Sequence, residues 1–231
     1  MQPFARVLSL FIKGSVVAFG VLVSVGLTAD SAHAVSNGVV ISQVYGSGGN
    51  AGANWRNDFI ELFNRGSVAV SLNGWSVQYG AQNGSTWTAT NLPNVSLQPG
   101  RYFLIQEASG GANGTLLPTA DATGTLALAG NAGKVALVSS TTLLSGTCPS
   151  AGIVDLLGYG TPNCSEGTGT GNLGATTAAM RNTGGCQDSD NNAGDFTITT
   201  AAPHNTASPA NPCIPVAVGQ ATWGQVKFIY R

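Results

Sequence analysis

The chain has 231 residues, 32 of them glycine, with only 8% charged and a formal net charge of -1. Nine basic residues scattered against ten acids exclude the basic footprint that sustained nucleic-acid binding requires. Two histidines in all, one of them in the N-terminal segment, exclude the histidine-rich centres of metal-dependent nucleases and phosphatases.

The N-terminus reads as a secretory signal peptide over 1–34. Arg6 and Lys13 precede an apolar run at 16–27, and Ala32-His33-Ala34 is an A-x-A cleavage signal. That run has about a dozen residues where a membrane span needs roughly 20, so the mature chain begins near Val35 with no transmembrane segment. Cleavage leaves seven basic residues against nine acids.

From there, strand-like segments recur between glycine, asparagine and proline breaks, and no sustained helical period is found. The pattern predicts strands at 39–45, 58–63, 68–72, 75–79, 87–90, 102–106, 125–128, 134–138 and 153–159. The strand Asp58-Phe59-Ile60-Glu61-Leu62-Phe63 is apolar on both faces, which suits a central position. Glu61 in it then needs a buried donor or a place at the rim. Trp75 is the expected anchor between two sheets. Two long loops, 46–55 and 108–124, are the expected recognition elements. Gly48-Gly49-Asn50 lacks the following helix that a phosphate-binding loop needs.

The block Asn57-Asp58-Phe59-Ile60-Glu61-Leu62-Phe63-Asn64, with Val68-Ala69-Val70-Ser71-Leu72 and Gly74-Trp75-Ser76-Val77-Gln78 after it, resembles a lamin-tail domain. In that family an E-L-x-N strand is followed by a V-x-L piece and a G-W-x-h strand. Gly133-Lys134-Val135-Ala136-Leu137-Val138 extends the similarity, which covers about 37–205. The resemblance implies an all-β, immunoglobulin-like β-sandwich and a binding or interaction module. With the export signal, it places the protein among bacterial secreted members.

Four cysteines, Cys148, Cys164, Cys186 and Cys213, lie in the exported part, where two disulfides are expected. Of three connectivities, sequential pairing is favoured, because it closes short loops around a less regular C-terminal half. The domain is therefore read as 35–213, followed by a linker at 214–220 and a short aromatic and basic tail at 221–231.

Candidate chemistry is sparse. His204 lies in the exit segment Ala202-Pro203-His204, so a Ser/His/Asp constellation would need that tail to reach back to the sandwich. Glu61, Glu107 and Glu166 are the carboxylates available to a glycosidase pair, but each has a structural explanation, and no catalytic residue is assigned. Trp55, Trp87 and Tyr79, with Asn54, Gln78 and Gln82 beside them, would make a sugar-stacking platform, although core packing is the expected use of such rings. Asp188, Asp190, Asn192 and Asp195 carry oxygens at nearly alternate positions, the pattern of a weak calcium loop. Ala193 stands where an EF-hand needs glycine, and a polar turn beside Cys186 is the competing reading. No other cofactor is implied.

The resulting expectation is a non-catalytic, secreted or cell-surface module whose partner is a surface polymer or an exported or envelope protein. The alternatives are an accessory part of an extracellular hydrolase and a carbohydrate-binding module.

Overall fold

Two segments that are apolar on both faces form the centre of the structure. In a computed structural model of the protein, β1 (Val39–Tyr45) and β2 (Phe59–Asn64) are buried at every position, as strands covered on both sides must be, and they pair antiparallel. The structure describes residues 38–213, all within one compact unit, Ser31–Arg231. The signal-peptide, linker and tail segments lie outside the described residues.

On the far side of β2 lie β7 (Tyr102–Gln106) and then the short parallel β8 (Ala122–Thr123). On the far side of β1 lie β11 (Thr177–Arg181) and then β12 (Phe196–Thr200), which completes a six-stranded sheet ordered β12-β11-β1-β2-β7-β8. A second sheet is formed by β10 (Ile153–Tyr159), β9 (Gly133–Val138), β4 (Ser76–Ala81) and β5 (Trp87–Asn91), in that order. A small ribbon pairs β3 (Val70–Ser71) with β6 (Ser96–Leu97).

The main core lies between the two large sheets. Ile41, Ile60, Leu62 and Ile105 from the first meet Val77, Val135, Leu137 and Leu157 from the second. The architecture is the expected immunoglobulin-like sandwich. Trp75 is only half buried at the margin of this core, because the bend from Leu72 to Trp75 leaves Leu72 and Val77 to fill the centre.

Segment 125–128 is not a strand. Its backbone is held instead by buried carboxylates: the Leu126 N–H donates to Glu107 Oε2 at 2.8 Å and the Leu128 N–H to Asp58 Oδ2 at 2.9 Å. The leucines still bury their side chains, so the apolar alternation was real while the ladder was not. β11 and β12 lie in the part expected to be irregular, yet β11 sits against the central strand β1.

Both disulfides form as expected, Cys148 with Cys164 and Cys186 with Cys213, and no described cysteine is free. Lys134 reinforces the first of them. Among the described residues no carboxylate lies within ion-pairing distance of its buried Nζ, which donates to Gly84 O, Thr147 O and Asn163 Oδ1 while lying 5.1 Å from the centre of the Trp87 ring. Thr147 and Asn163 each precede a cysteine of the bridge, so one ammonium gathers both ends. The second bridge closes a separation of 27 residues. Replacing Cys186 and Cys213 together by serine is expected to lower unfolding stability by about 3–4 kcal/mol, read by urea denaturation under non-reducing conditions.

Candidate functional site

The outer face of the six-stranded sheet carries the densest polar arrangement, and a β-bulge creates it. The β1–β2 register shifts between Ile41 and Gln43, which leaves Ser42 unpaired and turns its hydroxyl toward β2. Ser42 Oγ donates to Glu61 Oε1 at 2.6 Å, and Gln43 lies opposite Glu61 across the strands. Glu61 is buried. The expected buried donor is therefore present, and a second comes from the chain's C-terminal part.

After β12 the chain crosses this outer face as a strap over 201–213. Gln43 reads the backbone of Ala202 in both directions, with Nε2 donating to its carbonyl at 2.9 Å and Oε1 accepting its N–H at 2.8 Å. The His204 N–H donates to Glu61 Oε2 at 2.6 Å, and His204 Nδ1 lies 3.2 Å from the same oxygen. The imidazole stacks on Tyr102 with centroids 4.6 Å apart. Further along, Asp121 accepts from Thr206, Arg101 donates to Ser208 O, and the Asn211 N–H donates to Gly100 O. The exit segment around His204 thus does reach back to the sandwich.

The bond to Glu61 raises the His204 pKa, against a smaller opposing effect of burial. Beneath the imidazole is a space of about 30 Å³, lined by Ser42, Gln43, Glu61, Tyr102, Met180 and Arg181 among others. That volume admits a water and little else. Ser42 bonds to Glu61, and His204 to the same carboxylate, so the hydroxyl and imidazole are both spent on one acceptor rather than aligned as nucleophile and base.

A second polar cluster joins the two sheets. The bulge frees the backbone of Ile41, whose N–H donates to Asp155 Oδ2 and whose carbonyl accepts from Arg181 Nε at 2.8 Å. Arg181 NH2 lies 2.8 and 2.7 Å from the two Asp155 oxygens, and NH1 bonds Asp188 and Gln187 O. The guanidinium stacks over Phe196 at 4.4 Å. Burial alone would depress the Arg181 pKa, but the Asp155 and Asp188 carboxylates more than offset it and hold it raised.

Asp155, Glu166 and Asp188 bring oxygens within 4.8 Å of one another. Their charge is already balanced. Arg181 and Arg65 pair with the aspartates, while burial, with the Asp155 carboxylate adding to it, pushes Glu166 up to about 9, so that it keeps its proton at neutral pH. This is a closed ion-pair network with no deficit for a cation to fill.

The proposed calcium ligands are drawn to different partners. Asp188 faces Arg65 and Arg181. Asp195 accepts from Ser189 N–H, Ser189 Oγ and Asn191 N–H, closing the turn before the single helical turn Asn192–Asp195. The Asn192 amide accepts from Gly158 N–H and Glu166 N–H, and donates to Leu156 O. Asp190 adopts a left-handed backbone, φ 55. A calcium ion would have to displace arginine and backbone donors. Thermal melts of the mature chain in 1 mM calcium and in chelator are therefore expected to superimpose, and a clear upward shift with calcium would reinstate the loop.

The aromatic platform does not assemble. Trp55, Trp87 and Tyr79 contribute to three separate apolar clusters, and the Trp55 and Trp87 indoles donate to Ala201 O and Gly146 O. Gln78 is buried on Ser76, Thr142 and Leu144; Gln82 bonds Thr161, and Asn54 bonds Thr176 O. The two long loops bind each other, through Gly110 N–H to Gly48 O, Thr115 N–H to Asn54 O and Arg56 N–H to Thr115 O. Gly48 is required there, since a Cβ would sit 2.0 Å from the Asn57 carbonyl carbon. Arg181 and the bulged Ser42 were not singled out from sequence, and Asn192 was read only as a calcium ligand, not as the residue that caps the edge of β10. The only signal for Arg181 was that a chain with so few charges had placed one inside an alanine-rich apolar segment.

No curated protein matches the chain. A DUF4876 family protein from Bacteroides thetaiotaomicron VPI-5482 is similar at 11% identity, with a TM-score of 0.47, over 77% of this chain and 74% of that one. The family model for the Lamin Tail Domain matches residues 32–161, more than half of the chain, from before β1 through β10. The protein belongs to the Lamin Tail Domain family.

Proposed function

We propose that the protein is a non-catalytic, extracellular β-sandwich that binds an exported or envelope protein. The observation that carries this reading is a surface groove of about 350 Å³ beside the end of β9. It is lined by Val138, Ser140, Thr142, Leu143, Leu144, Ser145, Pro149, Ala151 and Gly152. It contains no titratable group, and Leu143 in it is 55% exposed, so its chemistry suits an apolar segment of a protein rather than a reaction. A sugar polymer fits less well, because the groove offers no aromatic ring. Two disulfides support an oxidising compartment. No described helix is long and apolar enough to cross a membrane.

The test uses the mature chain as bait against cell-envelope and culture-supernatant fractions, with Leu143→Glu as the paired control. Specific capture lost in the variant at unchanged melting temperature supports the reading; capture indifferent to Leu143 removes the groove from it. The same preparation is expected to show no nuclease, phosphodiesterase or phosphatase turnover above buffer. Turnover that survives purification and is abolished by His204→Ala would replace this reading with an enzymatic one.

A further inference from the structure

Sheet edges carry unpaired backbone groups, and proteins normally cover or blunt them. Three of the four edges of the two large sheets are treated in that way. Along β10, Leu156 N–H donates to Glu166 Oε1, Leu156 O accepts from the Asn192 amide, Gly158 N–H donates to Asn192 Oδ1 and Gly158 O accepts from Thr170 N–H. β8 is only two residues long. β5 is flanked by a bridge between Thr86 and Ser145, and the Trp87 indole bonds the Gly146 carbonyl alongside it.

Among the described residues nothing comparable covers β12. It pairs with β11 over five consecutive residues without a bulge, and its sequence Phe-Thr-Ile-Thr-Thr has no charge and no proline. Ala201 N–H donates to Thr176 O. By the alternation of an antiparallel ladder, Thr197 and Thr199 then turn their backbone groups toward β11, while Ile198 and Thr200 turn theirs outward. Among the described residues no hydrogen bond reaches those outward groups of Ile198 and Thr200. Thr197, Thr199 and Thr200 are exposed, and Ile198 is half buried at the rim of the core.

We propose that β12 pairs antiparallel with β12 of a second copy of this chain, joining two six-stranded sheets across a twofold axis at Thr199. The edge is complementary to itself in that register. Ile198 of each copy meets Thr200 of the other as a hydrogen-bonded pair, which satisfies all the outward groups of both residues. Thr199 faces its own equivalent as a closely spaced, non-hydrogen-bonded pair, a favourable threonine–threonine contact. An uncharged strand also opposes its copy without repulsion, which a charged edge would not. The contact is small, so the dimer is weak and reversible.

Cysteine placement tests the register directly, because the described native cysteines are all in disulfides. In the full mature chain at about 100 µM, Thr199→Cys is expected to form an intermolecular disulfide at least about tenfold faster than Thr197→Cys, which shares its face and exposure but meets Ala201 of the other copy. In parallel, sedimentation equilibrium of the wild-type chain is expected to show average mass rising between about 10 and 500 µM, and Thr199→Lys, which sets two ammonium groups against each other, to abolish the rise. Equal cross-linking of the two cysteine variants, or a constant monomer mass for the wild type over that range, would overturn the proposal.

Discussion

Arg181→Met is expected to destabilise the mature chain by about 3–5 kcal/mol, the largest effect of any single polar substitution in the described fold. The guanidinium is fully buried and spends its donors on Asp155, Asp188, Ile41 O and Gln187 O. Removing it strands Asp155 between the sheets, and leaves the Ile41 carbonyl at the bulge without its donor. Arg65 still holds Asp188, so the loss falls mainly on Asp155. The comparison that isolates the pair is the double variant Arg181→Met with Asp155→Asn, in which the uncompensated charge is gone. It should recover part of the loss, with a coupling energy on the order of 1–3 kcal/mol by urea denaturation. A single-variant loss below about 1 kcal/mol would mean that water enters the cluster and the pair is not what joins the sheets.

The second large effect is a fall in stability as pH rises from about 4 to 9. Three buried carboxyls are held above their ordinary values: Asp58 at about 6, Glu107 at about 7 and Glu166 at about 9, in each case chiefly through burial. A group whose folded value exceeds its unfolded one favours the fold fully only below the unfolded value. It loses that contribution as pH climbs through the folded value. For Glu107 the window runs from 4.5 to about 7, and the full shift is worth on the order of 3 kcal/mol. Its Oε2 accepts from Leu126 N–H and Thr90 Oγ1, whereas its buried Oε1 has no partner among the described residues, so ionisation there is poorly compensated. His204 acts in the same direction, since Glu61 raises it and the charged pair is lost above its folded value. Asp195, lowered by its bonds to Ser189 and Asn191 in spite of burial, opposes the trend only at low pH. Glu107→Gln is accordingly expected to be nearly neutral at pH 4 and to raise the melting temperature at pH 8. The same shift at both pH values would assign the effect to packing instead.

These effects arise from one arrangement. The chain has few charges, and its buried and half-buried carboxylates bond to backbone that the β-ladders leave unpaired. Asp58 serves Gly48 and Leu128, Glu107 serves Leu126, Asp121 serves Leu104, Asp155 serves Ile41 and Glu166 serves Leu156. Groups that a catalytic reading would recruit are thus occupied in closing loops and strand edges. Such groups must be satisfied where water is excluded.

What could be read from the chain by itself was whatever depends on neighbours a few residues apart. Strand-like apolar runs bounded by glycine, asparagine and proline breaks placed β1, β7 and β10 to the residue, because an extended segment sends successive side chains to opposite sides of a sheet and a run apolar on both fits between two layers. The E-L-x-N and G-W blocks indicated the sandwich, and cysteine spacing indicated the sequential bridges. The strand β11 escaped because Thr-Ala-Ala-Met-Arg has little β-propensity, and only its pairing with β1 and β12 makes it a strand. Segment 125–128 failed in the opposite way. Its alternation buries Leu126 and Leu128, but strand identity needs a partner backbone, and carboxylates 19 and 70 residues distant supply the bonds instead. The roles of Glu61, Arg181 and His204 were likewise settled by tertiary structure alone, since the bulge at Ser42 and the strap over 201–213 bring together groups up to 143 residues apart. No local pattern encodes a hydrogen bond between residues so distant in the chain; only the packed sheets fix the position of donor and acceptor.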